Sequence, residues 1–179
     1  MKTLKRFLML AAVFTAVQAS AQTDKETTAK LVDSKTLTFN ATSAQPLANA
    51  DLNAILSRMP GGQGGGNIQL NGAMYDLKIT KDSVVAYLPY YGRAYTATMN
   101  PDDSGIRFKS KDFTYKVEQK KKGNWIITIN PKDVKDGQRL TLNVGTTGYA
   151  MLNVINNNRQ AITFSGYISD PAAVTAKAK

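Results

Sequence analysis

Apolar side chains recur at every second position through most of this chain, the period of strands with one buried face. Thr36-Leu37-Thr38-Phe39-Asn40 alternates first. Tyr75, Leu77 and Ile79 then alternate with Asp76, Lys78 and Thr80, and Val84, Ala86 and Leu88 with Val85 and Tyr87. Ala94, Thr96 and Thr98 oppose Tyr95, Ala97 and Met99. Ile106 and Phe108 oppose Arg107 and Lys109, and Phe113, Tyr115 and Val117 oppose Thr114, Lys116 and Glu118. The same holds for Trp125, Ile127 and Ile129, and for Leu140, Leu142 and Val144. Segments 149–155 and 161–168 are apolar on both faces. Only Leu47, Leu52, Ile55, Leu56 and Met59 approach helical spacing, with Asn49 or Asp51 as a cap and Pro60-Gly61 as a stop.

The joints between these runs carry turn chemistry: Asn71-Gly72, Lys81-Asp82, the 100–105 stretch, Lys120-Lys121-Lys122-Gly123, Asp136-Gly137, Thr147-Gly148 and Asn156-Asn157-Asn158. Strands repeating at short intervals with tight connections indicate an antiparallel meander rather than βαβ units. So many strands in one open sheet would leave long bare edges, so closure is expected. The pattern predicts an all-β fold, an antiparallel up-and-down meander closing into a barrel, with one short N-terminal helix. The glycines of segment 60–66 read as a loop, because no Gly-Lys-Ser/Thr follows them to make a phosphate cradle.

The first residues follow another logic. Lys2, Lys5 and Arg6 precede the apolar run Phe7 to Phe14, and Ala19-Ser20-Ala21 supplies a small-x-small cleavage pattern before Gln22. This is the anatomy of a Sec-type signal peptide, with cleavage expected after Ala21 and an address in the periplasm or outside the cell. The apolar run falls short of the ~20 residues that span a bilayer, so no transmembrane segment is expected after cleavage. The expected organisation is a signal peptide at 1–21, a flexible polar segment at 22–35, one barrel domain at 36–169 and a flexible tail at 170–179.

Composition narrows the chemistry. Cys and His are both absent, so this chain holds no disulfide, Cys/His zinc site, thiol nucleophile or imidazole base. Basic residues number 23 against 13 acidic, a formal charge of +10; loss of Lys2, Lys5 and Arg6 takes the basic count to 20 and the mature charge to +7. Seven of the basic side chains lie between Arg107 and Lys122, where the pattern reads as a solvated outer face rather than a nucleic-acid surface. Export argues against nucleic acid as well. Asp102-Asp103 is the one adjacent carboxylate pair; in a Pro-Asp-Asp-Ser-Gly turn it reads as a turn cap, not as a hydrolytic pair. No metal site and no cofactor are implied.

Tyr87-Leu88-Pro89-Tyr90-Tyr91-Gly92-Arg93-Ala94-Tyr95 concentrates four of the eight tyrosines. Pro89 ends a strand, and Gly92 lets the chain double back. Two readings stand. In one, the rings form an aromatic clamp at a barrel mouth, with Arg93 positioned for an anionic or carbonyl group. In the other they seal a structural corner. The candidate ligand-binding set is Tyr87, Tyr90, Tyr91, Arg93 and Tyr95, joined by Trp125. Arg159, after three asparagines, reads as ordering a turn.

This corner, the hairpin from Tyr75 to Leu88, Gly105-Ile106-Arg107-Phe108, Asn158-Arg159-Gln160 and Gly166 form a combination. Together with the signal ending, it resembles a family of secreted Bacteroidota proteins known only as a domain of unknown function. The likeness runs from about Thr36 to Ile168 and implies a lipocalin-like β-barrel in the periplasm, with no catalytic residues. Asp82-Ser83-Val84 is similar to the short O-glycan acceptor pattern of such exported proteins. The expectation is a non-enzymatic barrel binding a small apolar or amphipathic ligand; the alternative is a structural or protein-interaction module of the envelope.

Overall fold

Leu37–Pro46 (β1) pairs antiparallel with a strand at the far end of the chain, and that pairing turns a meander into a nearly closed barrel. The computed structural model describes residues 25–47, 66–70, 74–95, 105–121 and 123–171. The remaining strands are Ile68–Gln69 (β2), Asp76–Ile79 (β3), Val84–Leu88 (β4), Ile106–Ser110 (β5) and Phe113–Gln119 (β6). Trp125–Pro131 (β7), Gln138–Val144 (β8), Tyr149–Asn156 (β9) and Arg159–Ser169 (β10) complete them. Their spatial order is β5-β4-β3-β1-β10-β9-β8-β7-β6, with β2 a short addition on β1, and every pairing is antiparallel.

The expected all-β barrel is therefore present, and the alternation explains its interior. Leu77 and Ile79, Val84, Ala86 and Leu88, Ile127 and Ile129, Leu140 and Leu142, and Leu152 and Val154 are all buried, with Phe39 and Phe164 fully enclosed among them. One inward row runs across five strands as Trp125, Val144, Ala150, Gly166 and Ala41. A single large indole beside three small residues is the large-and-small alternation that lets a barrel fill its own centre.

Two features depart from the pattern's expectation. Lys25–Ser34 is a helix (α1), not a flexible segment, and its Thr28, Leu31 and Val32 are buried. Those three positions are spaced i, i+3, i+4, so one narrow stripe suffices to dock a helix whose other faces are polar. An exposed Glu26–Lys30 pair at 2.9 Å adds little to this. The helix expected between Leu47 and Met59 and most of the 94–99 strand lie outside the described residues.

The second departure is a seam. β5 and β6 are joined by only Lys111 and Asp112, yet no ladder is formed between them. The turn is held from the other side instead. Asp133, in the β7–β8 connection, accepts hydrogen bonds from Ser110 Oγ, Lys111 N (2.8 Å) and Asp112 N (3.2 Å). Lys132 adds a backbone bond to Asp112 O at 2.8 Å and an ion pair to its carboxylate at 3.1 Å. β6 consequently follows β7 and leaves β5, and no described strand covers its other edge.

Those hydrogen bonds hold the Asp133 carboxyl well below its ordinary 3.8, at about 2, the bond from Ser110 contributing most. A depressed carboxylate contributes stability that is present above the unfolded pKa and is lost as pH falls through the folded one. Wild type should therefore lose thermal stability between about pH 4 and pH 2 more steeply than Asp133→Asn. The gap between the two melting curves, measured against pH, should close across that window; a constant gap would refute the assignment.

Candidate functional site

The segment after β4 folds back onto the start of β10 and forms a corner. Gln160 N donates to Arg93 O at 3.1 Å, Tyr95 N donates to Asn158 O at 2.8 Å, and Ala94 bridges Arg159. The Tyr90 hydroxyl lies 2.8 Å from Arg93 O and 3.1 Å from Gln160 O and donates between them. A Cβ on Gly92 would meet that hydroxyl at 2.7 Å, so a side chain there would have to displace the Tyr90 ring end. Arg159 is buried: its guanidinium donates to Gly105 O at 2.9 Å and stands 5.1 Å from the centre of the Tyr90 ring. Burial raises the pKa of the Tyr90 phenol, against the opposing pull of the Gln160 bond, so the hydroxyl stays protonated as a donor.

Tyr87 faces outward on β4, stacked on Tyr75 with ring centroids 5.8 Å apart, and the Arg107 guanidinium covers its ring at 4.7 Å. Tyr91 is half-buried near Tyr75, and desolvation raises its pKa. Tyr95 is 68% exposed, and Arg93 also projects to the surface. Trp125 is buried at the start of β7, in the inward row far from the corner. The six candidates thus divide: Tyr90, Arg93 and Tyr95 meet the β9–β10 hairpin, Tyr87 and Tyr91 gather around Tyr75, and Trp125 stands apart in the core. None of them lines either of the two cavities that follow.

One cavity, of about 300 Å³, opens at the seam. Lys35, Lys81 and Lys111 line it with Thr80, Asp112, Phe113 and Tyr115. The three lysines come from three separate places: the end of α1, the β3–β4 turn and the β5–β6 turn. Among the described residues no carboxylate pairs with any of them, while Asp112 is engaged by Lys132. Lys35 is the one described residue other than glycine with a positive φ, 54°. A left-handed side chain there costs ~1–2 kcal/mol relative to glycine, yet the ammonium is delivered to the cavity edge, 5.6 Å from the centre of the Tyr115 ring. The conformation is the common left-handed close of a helix, with Lys35 N donating to Val32 O at 3.2 Å.

Tyr115 completes the wall. Burial, with a smaller contribution from the Asp33 carboxylate, pushes its phenol to about 12, and its hydroxyl is buried without a hydrogen-bond partner among the described residues. It is therefore an unused donor at every ordinary pH. On β6, Phe113, Tyr115 and Val117 share one face, and the last is 40% exposed, so an apolar stripe leads away from the cationic pocket along the uncovered strand. Thr80 and Ser83 hydroxyls lie 3.0 Å apart, and the Thr80 hydroxyl also bonds Ser83 O at 3.1 Å and accepts from Ser83 N at 3.0 Å, which fixes the turn that carries Lys81.

The second cavity, of about 460 Å³, lies on the outer face of β8, β9, β10 and β1. Among the described residues no Asp or Glu is buried, and no group of acidic side chains gathers as a metal site. Asp102 and Asp103 lie outside the described residues. No described helix is long and apolar enough to cross a membrane.

These features define a nearly closed antiparallel barrel with an apolar interior, an open cationic seam and a grooved outer wall. Residues 19–168 match the family described as a domain of unknown function, DUF4251, and the chain belongs to that family. A crystal structure of a DUF4251 family protein from Bacteroides eggerthii DSM 20697 at 1.95 Å resolution has a similar fold. It has 11% identity and a TM-score of 0.55, covering 86% of this chain and 91% of that one. No curated protein matches.

Proposed function

We propose that the protein is a non-enzymatic binder of a small amphipathic anion, taken at the seam between β5 and β6. The observation that carries this reading is the convergence of Lys35, Lys81 and Lys111 on one cavity whose wall includes Phe113 and Tyr115. A carboxylate or phosphate head would answer the three ammonium groups. Its apolar chain would lie on Phe113, Tyr115 and the exposed Val117. The cavity volume sits at the lower edge of the ~300–1,000 Å³ of small-molecule sites, which suits a head group with the chain left on the surface. A wholly apolar ligand would leave the three lysines unanswered. The cationic n-region, apolar run and Ala19-Ser20-Ala21 support export, and we place this binding in the periplasm or outside the cell.

Isothermal titration with dodecanoate and with an uncharged oligoethylene glycol dodecyl ether tests the reading. Dodecanoate should bind more tightly, and its affinity should fall with salt as screening grows. Replacing Lys35, Lys81 and Lys111 together by Gln should weaken it about tenfold or more, while the fold, held elsewhere, persists. Equal affinity for the two amphiphiles, or an unaffected triple variant, would reject the seam as the site.

A further inference from the structure

The outer wall opposite the seam has a chemistry of its own. Between residues 36 and 50, 140 and 158, and 160 and 169 there is no charged side chain, in a protein where 20% of residues are charged. Those segments supply β1, β9, most of β8 and all of β10 beyond Arg159, four adjacent strands centred on the middle of the sheet order. The seam side is the reverse: residues 105–121 carry Arg107, Lys109, Lys111, Asp112, Lys116 and Glu118 among others. The groove of about 460 Å³ lies on the neutral wall.

Its lining is specific in kind. Tyr149 and Tyr167 are direct cross-strand partners on β9 and β10, 55% and 41% exposed. In the next row Asn143, Met151 and Ser165 are aligned across β8, β9 and β10, with Met151 49% exposed. Thr42 reaches the same place from β1, where it is the extra residue of a bulge and donates to Ser165 O at 3.0 Å. Two exposed tyrosine rings therefore stand beside amide and hydroxyl groups, with no charge among the lining residues.

We infer that this groove binds a neutral glycan. A sugar ring has an apolar C–H face that lies against an aromatic ring and a rim of hydroxyls that pair with amides and hydroxyls. The groove offers both, and an uncharged ligand suits an uncharged wall. A hydrocarbon chain would leave the Asn143 and Ser165 side chains without partners where it covered them, at a cost. The inference is independent of the amphiphile reading, because the two cavities share no residue.

Affinity electrophoresis of the whole protein through gels containing starch, β-glucan, xylan or mannan, with chitin oligosaccharides tested by titration, decides it. At least one neutral glycan should be bound, with little dependence on salt. Tyr149→Ala and Tyr167→Ala should each weaken binding about tenfold, whereas Tyr95→Ala, at an exposed tyrosine elsewhere, should not. Unchanged melting temperatures check that the variants fold. Retardation by none of these glycans, or retention of binding by the Tyr149→Ala/Tyr167→Ala double variant, overturns the proposal. So does self-association, or capture of a defined protein partner, that the double variant abolishes while glycans remain unbound.

Discussion

Gly166→Ala is expected to destabilise the barrel by about 3 kcal/mol or more, lowering Tm by about 10 °C for a chain of this size. The reason is backbone against backbone. A Cβ at Gly166 would stand 1.9 Å from Asn40 O, 2.9 Å from Asn40 C and 3.1 Å from Ala41 Cα. No side chain can swing away to relieve that contact, so β1 and β10 would have to separate. The position is where they matter most to each other. Ala41 opposite Gly166, followed by Ser43 opposite Ser165, marks the bulge at which β1 bends, and the β1–β10 ladder is the one that joins the two ends of the chain. Thermal unfolding followed by circular dichroism measures the loss. A variant melting within a degree or two of wild type would show that the strands do not approach so closely.

Arg159→Ala should cost about 2–4 kcal/mol, the sum of an orphaned carbonyl, a lost cation–π contact and an emptied buried volume. Arg159 is the one described charged side chain that is buried, and it links three places: Gly105 just before β5, the Tyr90 ring and the β9–β10 hairpin. Without it the 89–95 corner keeps its backbone bonds to Asn158 and Gln160, the Tyr90 hydroxyl on Gln160 O and the Gln160 side chain on Arg93 N. Arg159→Lys should recover little, since an ammonium lacks the planar face that covers Tyr90. Urea unfolding gives the energy, and hydrogen exchange at Tyr95 N, bonded to Asn158 O, reports whether the corner opens first. A loss below about 0.5 kcal/mol, the size of an ordinary surface change, would contradict the role.

Much of this architecture is legible as period two. Leu77 and Ile79, Ile127 and Ile129, and Leu140 and Leu142 face inward as their alternation requires. The segments apolar on both faces are also explained: the inner set of β9 fills the core, and Tyr149, Met151 and Ile155 stand on the neutral wall. α1 was hidden because three contacts on a polar decamer leave almost no hydrophobic signal. The seam was hidden for a different reason. A two-residue connection between alternating runs reads as a hairpin, and only a distant carboxylate, Asp133, diverts the turn.

The site was harder still. Lys111 belongs to a basic stretch that looks like a solvated face, and Lys35 and Lys81 sit in unrelated turns; nothing local announces that the three converge. The tyrosine-rich corner drew attention through its density, and the structure uses Tyr90 there as a hydrogen-bonded partner of Arg159. Trp125, grouped with it by residue type alone, belongs to the inward row with Ala150, Gly166 and Ala41.

The most direct measurement is amide NMR of the mature protein titrated with dodecanoate. Shifts gathered at residues 35, 80–81 and 111–117, absent when all three lysines are replaced, are the predicted result. Shifts confined to the 87–95 corner, or to the wall around Tyr149 and Tyr167, would contradict a cationic seam that holds the anionic head.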